Sequence, residues 1–498
     1  MKKPLKITLI VLAGLLVMIP IGHYSFQMLR RAVLMSYLTE ERVIELWPKR
    51  GDIYDKDGHV ILTTATFYDI HLDTALPEDS RKWSEGALEL AAALDSLLPV
   101  RNGQEWLAYL NEGREKGNRY LLIAKGVAQE KCDSLRRLPL LNIFESHDVQ
   151  AHPYGELARR TLGYSLDRNN GYVGLSGRYH EQMQGAPAER TVRLGWYKGH
   201  RQHLTIGQTE DTPASNLHTT LDMRLQVAAD SAVRAALSSS NDLIRGCMVL
   251  MEVSTGAIRA IVNLDRDDRD DSFHEYYNAV IGSLYEPGEV VSPLSADADT
   301  TSPVLFVETL RSRCLPDKID FDLAGLRRAY IPTPEDAIWN ILSMRSMRKG
   351  YSLAMVPLDI LSFYNTMARG GSMIKPYLVD SLTCRGETTM RYRPTVLKEH
   401  VSIPTVSDVQ LRGARYEVAG KASTSRQAFI PARFEFRPSY TDSLGRQQLA
   451  ISFAGFFPAD DPKYSVICVL FTKTTCNHYY GGTQAANAVK ELVNAVEL

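Results

Sequence analysis

Two short stretches carry the residues with the most chemical potential. In the first, Tyr285-Glu-Pro-Gly288 runs directly into Glu289-Val-Val-Ser292-Pro-Leu294. In the second, Val418-Ala-Gly-Lys421 continues as Ala422-Ser423-Thr424. A serine with a lysine one helical turn along is a nucleophile and base on one face. Ser346-Met-Arg-Lys349 and Ser372-Met-Ile-Lys375 have that spacing, but such matches arise by chance in a chain this rich in serine and lysine, and neither follows Tyr-Glu-Pro-Gly. His180-Glu181 and His274-Glu275 lack the second histidine of a zinc-protease helix, and no P-loop is present. The six cysteines include no C-x-x-C pair, so neither a zinc site nor a redox dithiol is expected, and no cofactor or metal is called for. Cys247 and Cys468 lie in apolar runs and read as core thiols; Cys468 with Cys476 is a candidate disulfide in an oxidising compartment.

The elements that must position these residues can be read around them. Leu225 to Leu237 is a strongly amphipathic helix. Cys247 to Val253 and Ala257 to Val262 read as a hairpin across Ser254-Thr-Gly256, and Ala450 to Phe457 with Tyr464 to Phe471 as a second. A helix from Thr483 to Val496 closes the chain. This order describes an α+β domain built on an antiparallel sheet flanked by helices. Upstream, Lys56-Asp57-Gly58 is a turn between two short strands, and helices are expected over Trp83 to Leu98 and Gly103 to Lys116. Arg30 to Glu45 has helical periodicity, and Val192 to Asn216 reads as a polar linker.

Ile7 to Phe26 holds no charged side chain and is long enough to span a bilayer's hydrocarbon core. No small-x-small cleavage pattern follows it, so an uncleaved anchor is expected rather than a signal peptide. Lys2, Lys3 and Lys6 before it, against Arg30 and Arg31 after it, lean toward a cytoplasmic N-terminus and an exported body. The 57 basic and 58 acidic residues nearly cancel, which argues against nucleic acid as the main partner.

Segments in this order resemble the class B penicillin-binding proteins, particularly the division type. The resemblance rests on Arg50-Gly-Asp-Ile-Tyr-Asp-Lys-Asp-Gly58, Tyr154-Gly-Glu-Leu-Ala158, Leu162-Gly-Tyr164, Gly171-Tyr-Val-Gly-Leu175 and Thr219-Thr-Leu-Asp222. It continues through Tyr285-Glu-Pro-Gly288, Gly350-Tyr351, Pro357 to Asn365, Lys375-Pro-Tyr377, Gly455 to Asp460 and Tyr480-Gly-Gly482. It implies a cytoplasmic tail and transmembrane anchor over 1–30, an elongated dimerisation-type pedestal module over 31–215, and a transpeptidase-like domain over 216–498. It also implies peptidoglycan or its precursors as ligand, and membrane-bound division proteins such as a polytopic glycosyltransferase as partners, at the inner membrane with the body periplasmic.

The same resemblance implies three catalytic elements, each altered here. The nucleophile position after Tyr-Glu-Pro-Gly holds Glu289, and the base position holds Ser292. A carboxylate there would give a mixed anhydride, and would repel a D-Ala-D-Ala carboxylate by roughly 1 to 4 kcal/mol at about 4 Å. A Ser-x-Asn is missing between Ser292 and Lys421, and the interval from Ser292 to Gly350 looks shortened. In the Lys-Thr-Gly element Lys421 is kept, Ala422 lacks a hydroxyl, and Ser423 sets a Cβ where glycine admits substrate backbone. With no nucleophile beside a base, a non-catalytic scaffold or regulator is expected. The alternatives are a transpeptidase or carboxypeptidase with rearranged residues, or a sensor binding wall fragments through Lys421. Lys421 is expected either to pair with Glu289 or to be solvated. A serine and a lysine side by side in this cleft would overturn this account.

Overall fold

The computed structural model describes residues 25–498 apart from 27, 31–32, 34–37, 99, 165–172, 198–199, 318, 405–410, 412, 427–447 and 475–481. The expected anchor, the Gly171-Tyr172 and Tyr480-Gly481 motif residues and Cys476 fall wholly or mostly outside them. Among the described residues no helix is long and apolar enough to cross a membrane. The chain forms two compact units, Met1–Arg50 with Glu181–Ser215, and Gly51–His180 with Asn216–Leu498. The stretch 31–215 is therefore shared between them.

The first unit contains a three-stranded antiparallel sheet, in the order Leu38–Leu46, Ala188–Tyr197, His200–Gln208. This corrects two expectations. The periodicity of Arg30 to Glu45 does not yield a helix to its end, because the stretch from Leu38 pairs as a strand with Val43 opposite Thr191. β-branched residues and the Arg193–Glu41 ion pair (2.6 Å) favour cross-strand pairing there. The expected linker Val192 to Asn216 is largely a hairpin; it reads as polar because Thr205–Gln208 are exposed on the outer strand.

In the second unit six antiparallel strands run in the order Phe273–His274, Ile258–Arg266, Leu243–Glu252, Tyr464–Thr472, Leu449–Phe457, Ala419–Arg426. Alternate side chains supply two cores. Met248, Leu250, Phe453, Cys468 and Leu470 face a cluster shared with the helices Met223–Ser238 and Thr483–Ala495. On the opposite face lies the wholly apolar-flanked helix Pro357–Ala368, whose Asn365 Nδ2 donates to Ser465 Oγ at 3.1 Å. Both expected hairpins and both amphipathic helices form within a few residues of their predicted ends, and the α+β architecture holds. A second sheet is built from the strands 387–391, 379–384, 216–219, 53–54, 60–72 and 121–128, with 143–151 pairing 60–72; the helices Ser80–Leu97 and Gly103–Glu115 pack against it. Cys132, Cys247, Cys314 and Cys468 are buried and free, and burial pushes the Cys247 thiol up to about 12.

Candidate functional site

The turn Tyr285-Glu-Pro-Gly288 is pinned from both ends. Tyr285 is fully buried, its ring edge-on to Phe471 at 5.9 Å, and its backbone exchanges hydrogen bonds with Met355. The Gly288 N–H donates to Gly350 O at 2.9 Å. Gly288 itself has φ +64°, and a Cβ there would lie 2.4 Å from Ser423 Oγ, so the position admits only glycine.

From this turn the chain enters a 3₁₀ helix, Gly288–Ser295, rather than an α-helix. Pro293 removes a donor and Val290 and Val291 are β-branched, a combination that disfavours an α-helix here. Its far end is held by the fully buried Arg313, which donates to Leu294 O (2.8 Å) and reaches Asp297 (2.6 Å) and Ser402 Oγ (3.0 Å).

Alongside lies the edge strand Ala419–Arg426, paired on its other side with Leu449–Phe457. Its odd-numbered side chains face the 3₁₀ helix. Lys421 Nζ donates to Ser292 Oγ at 2.8 Å. Ser423 Oγ accepts from the Glu289 N–H at 3.0 Å. Ser425 Oγ donates to the Glu286 carbonyl. The register is regular: two residues along the strand answer three back along the turn and helix. A two-residue strand step is about 6.7 Å and one 3₁₀ turn about 6 Å, so the repeats nearly match and the edges close like a zipper. The even-numbered side chains face the other way. Thr424 Oγ1 accepts from the Gly482 N–H at 3.0 Å, and Ala422 Cβ lies 2.5 Å from where a Cβ on Gly482 would sit.

Two expectations are corrected. Lys421 does not pair with Glu289: it is half-buried and its ammonium reaches Ser292, one helical turn beyond Glu289, while the Glu289 side chain is exposed and forms no ion pair among the described residues. The cleft also holds a serine and a lysine in contact after all, contrary to the expectation of no nucleophile beside a base. The two chance Ser-x-x-Lys matches do not assemble: Ser346 Oγ accepts from Ser352 Oγ at 2.8 Å, and among the described residues no side-chain hydrogen bond joins Ser346 to Lys349 or Ser372 to Lys375.

The profile of the penicillin binding protein transpeptidase domain matches residues 309–494. Peptidoglycan D,D-transpeptidase FtsI of Escherichia coli (strain K12) is 21% identical, over 91% of this chain and 84% of that protein. Stage V sporulation protein D of Bacillus subtilis (strain 168) is 20% identical, over 95% and 82%. Penicillin Binding Protein 2X from Streptococcus thermophilus shares the fold with a TM-score of 0.65 at 16% identity, over 91% and 79%. A penicillin-binding transpeptidase domain thus spans 309–494, and nearly the whole chain is similar to class B peptidoglycan D,D-transpeptidases. The PBP2 of a complex with MreC from Helicobacter pylori also shares the fold, with a TM-score of 0.58 at 15% identity, over 92% and 98%.

The donors and acceptors of this cleft are largely bonded to one another. Acyl transfer through a serine needs donors aimed at the developing oxyanion, commonly including the N–H of the residue bearing the nucleophile. In this cleft the N–H at the nucleophile position is already taken by Ser423 Oγ. Sequence reasoning assigned Ser423 only a steric role and missed Ser425. The signal was available as Lys421-x-Ser423-x-Ser425, a strand alternation placing three polar groups on one face.

Proposed function

We propose that this chain is a membrane-anchored, non-catalytic class B penicillin-binding protein that acts as a scaffold or regulator in peptidoglycan synthesis and cell division. Its N-terminus is cytoplasmic and its body lies in the periplasm, a topology supported by the apolar run Ile7 to Phe26 and its leading lysines. In this reading 31–215 serves as the pedestal module, and the partners are membrane proteins of wall synthesis, such as a polytopic glycosyltransferase. The Helicobacter pylori complex with MreC supports docking of this fold to such proteins. The observation that carries the reading is the zipper: the backbone donor at the nucleophile position is occupied by Ser423 Oγ, and the retained lysine by Ser292 Oγ. Incubation with fluorescent penicillin followed by intact-mass analysis should give no covalent adduct.

The Ser292–Lys421 contact favours a second reading, an active D,D-transpeptidase with rearranged residues. Ser292 Oγ would attack the lactam carbonyl, its proton would pass by way of the Lys421 amine to the ring nitrogen, and the C–N bond would open. A penicilloyl adduct on Ser292 that vanishes in both Ser292→Ala and Lys421→Ala would establish that reading and end the scaffold-only one. The scaffold is preferred because Ser292 sits a turn past the nucleophile position, inside a 3₁₀ helix and directly before Pro293.

A further inference from the structure

Away from the acyl cleft, a polar cavity of about 340 Å³ opens where the Asp55-Lys56 turn meets the second sheet. Part of its lining is a row of cross-strand partners: His218 pairs with Ser381, and Ser381 with Arg391, while Tyr54, outside the lining, pairs with His218 from the other side. The Tyr54 and His218 rings stack at 4.8 Å, 12° from parallel. Thr383 and Thr388 extend the lining, and Thr220, Arg259, Tyr377 and Asp380 close the sides.

Most charges around the cavity are already committed. Lys56 bonds Asp57 (2.8 Å) and Asp222 (3.2 Å). Arg259 bonds Glu252 (3.0 Å) and Thr220 O (3.1 Å). Asp55 accepts from the N–H groups of Asp57 and His59, and its other oxygen lies 3.1 Å from His59 Nδ1. Two charges are not committed in this way. The exposed Arg391 guanidinium has no hydrogen bond or ion pair among the described residues. Among the described residues the Asp380 carboxylate accepts only the Ser381 hydroxyl (3.0 Å), on one of its two oxygens. They stand on paired strands, with the Tyr392 N–H bonded to Asp380 O, yet do not come within 4.0 Å of each other. Burial lowers the His218 pKa, and the ring also feels Asp380 raising it and Arg391 lowering it, which puts both charges beside one cavity wall.

An uncommitted anion and cation lining one cavity without bridging each other complement a ligand that carries both signs. A lone phosphate or carboxylate would meet Asp380, and a lone ammonium would meet Arg391, each at a repulsive cost. We propose that this cavity binds a zwitterionic α-amino acid head group, with its carboxylate on Arg391 and its ammonium on Asp380. The guanidinium fork matches a carboxylate in two parallel hydrogen bonds. The ammonium donates to the open Asp380 oxygen, while the Thr383 hydroxyl already lies 3.0 Å from His218 Nε2. The inference is independent of whether the acyl cleft reacts, so penicillin labelling leaves it untouched.

The head group could belong to a free amino acid or to a peptide side chain ending in one. The test uses the full chain in detergent with D- and L-alanine, N-acetylalanine, alaninamide, and a peptide whose diaminopimelate side chain ends in a free ammonium and carboxylate. Binding is read by calorimetry and by ligand-observed NMR. The zwitterions of at least one source should bind, with N-acetylalanine and alaninamide at least about tenfold weaker, a loss of ~1.4 kcal/mol. Arg391→Gln and Asp380→Asn should each weaken binding by a similar factor without moving the unfolding midpoint. Peptide binding tighter than alanine assigns the site to a peptide end, and the reverse to a free amino acid. The proposal is overturned if no zwitterion binds at about 10 mM, which is weaker than ~3 kcal/mol. It is equally overturned if the singly charged analogues bind as well, or if binding survives both substitutions.

Discussion

The central sheet and the acyl cleft share one strand, Ala419–Arg426, and obey different rules on its two sides. Inward, the neighbouring strands Leu449–Phe457 and Tyr464–Thr472 are buried along nearly their whole length between helices. That side is held by apolar area, which any well-packed set of residues of similar volume supplies. Outward, the same strand meets the 3₁₀ helix through three small or flexible polar side chains, each making one hydrogen bond. A few polar substitutions there redirect bonds toward the protein itself and leave the packing intact. The difference shows that the framework and the cleft rest on separate sets of contacts, since architecture does not determine the chemistry of a site.

The largest way to test this contrast is to damage the framework. Phe453 is fully buried in the core shared with the two amphipathic helices. Phe453→Ala should cost about 3–5 kcal/mol in denaturant unfolding, through lost burial and the cavity left behind. A cost below about 1 kcal/mol would mean that the sheet is not the element holding the fold.

Next comes a charge inside the same framework. Glu275 is buried and accepts the N–H groups of Arg160 (2.8 Å) and Asn263 (3.2 Å), yet burial pushes its pKa from 4.5 up to about 8. A carboxyl raised in the folded state gives its full stabilisation below about 4.5 and loses it as pH climbs through about 8. At about 1.4 kcal/mol per pH unit, that loss amounts to a few kcal/mol. Glu275→Gln should flatten the pH dependence of the unfolding midpoint between pH 4.5 and 8 relative to the parent. An unchanged slope would show that other groups set it.

Much of the framework was legible in the sequence because apolar periodicity is a direct record of burial. The hairpin around Ser254-Thr-Gly256 and the helix after Asp222, whose side chain caps it, were readable for that reason. The strand Leu38–Leu46 was not. Its partner lies some 150 residues downstream, and its exposed, adjacent Val43 and Ile44 break the apolar–polar alternation that marks a strand. The cleft was half legible. Tyr285-Glu-Pro-Gly288 fixed where Glu289 and Ser292 stand, but the bond from Lys421 to Ser292 depends on a register between strand and helix that neither segment records alone.

A smaller effect tests the zipper. Ser423→Ala removes the acceptor for the Glu289 N–H and should cost about 1 kcal/mol, with an upper range near 3 if the amide stays dry. Faster hydrogen exchange at that single amide is the specific signature. Global destabilisation without local exchange would mean that the two edges are held by packing rather than by these bonds.

The smallest expected effect is the most telling. On the proposed reading Glu289 takes the nucleophile position, where in a working enzyme any change would matter greatly. Here its side chain is exposed and only its backbone N–H takes part in the closure. At the first turn of a helix a carboxylate gains a few tenths of a kcal/mol from the dipole, and solvent screens much of it. Glu289→Ala should therefore shift stability by no more than about 0.5 kcal/mol, as for other exposed positions without special contacts. It should also leave penicillin labelling unchanged. Glu289→Ser, which restores a hydroxyl at that position, should remain unlabelled too, because Ser423 still holds the adjacent amide and Ser292, not a lysine, stands one turn along. A covalent penicilloyl adduct on that serine would mean that the cleft opens readily and that one substitution, rather than the zipper, keeps it silent.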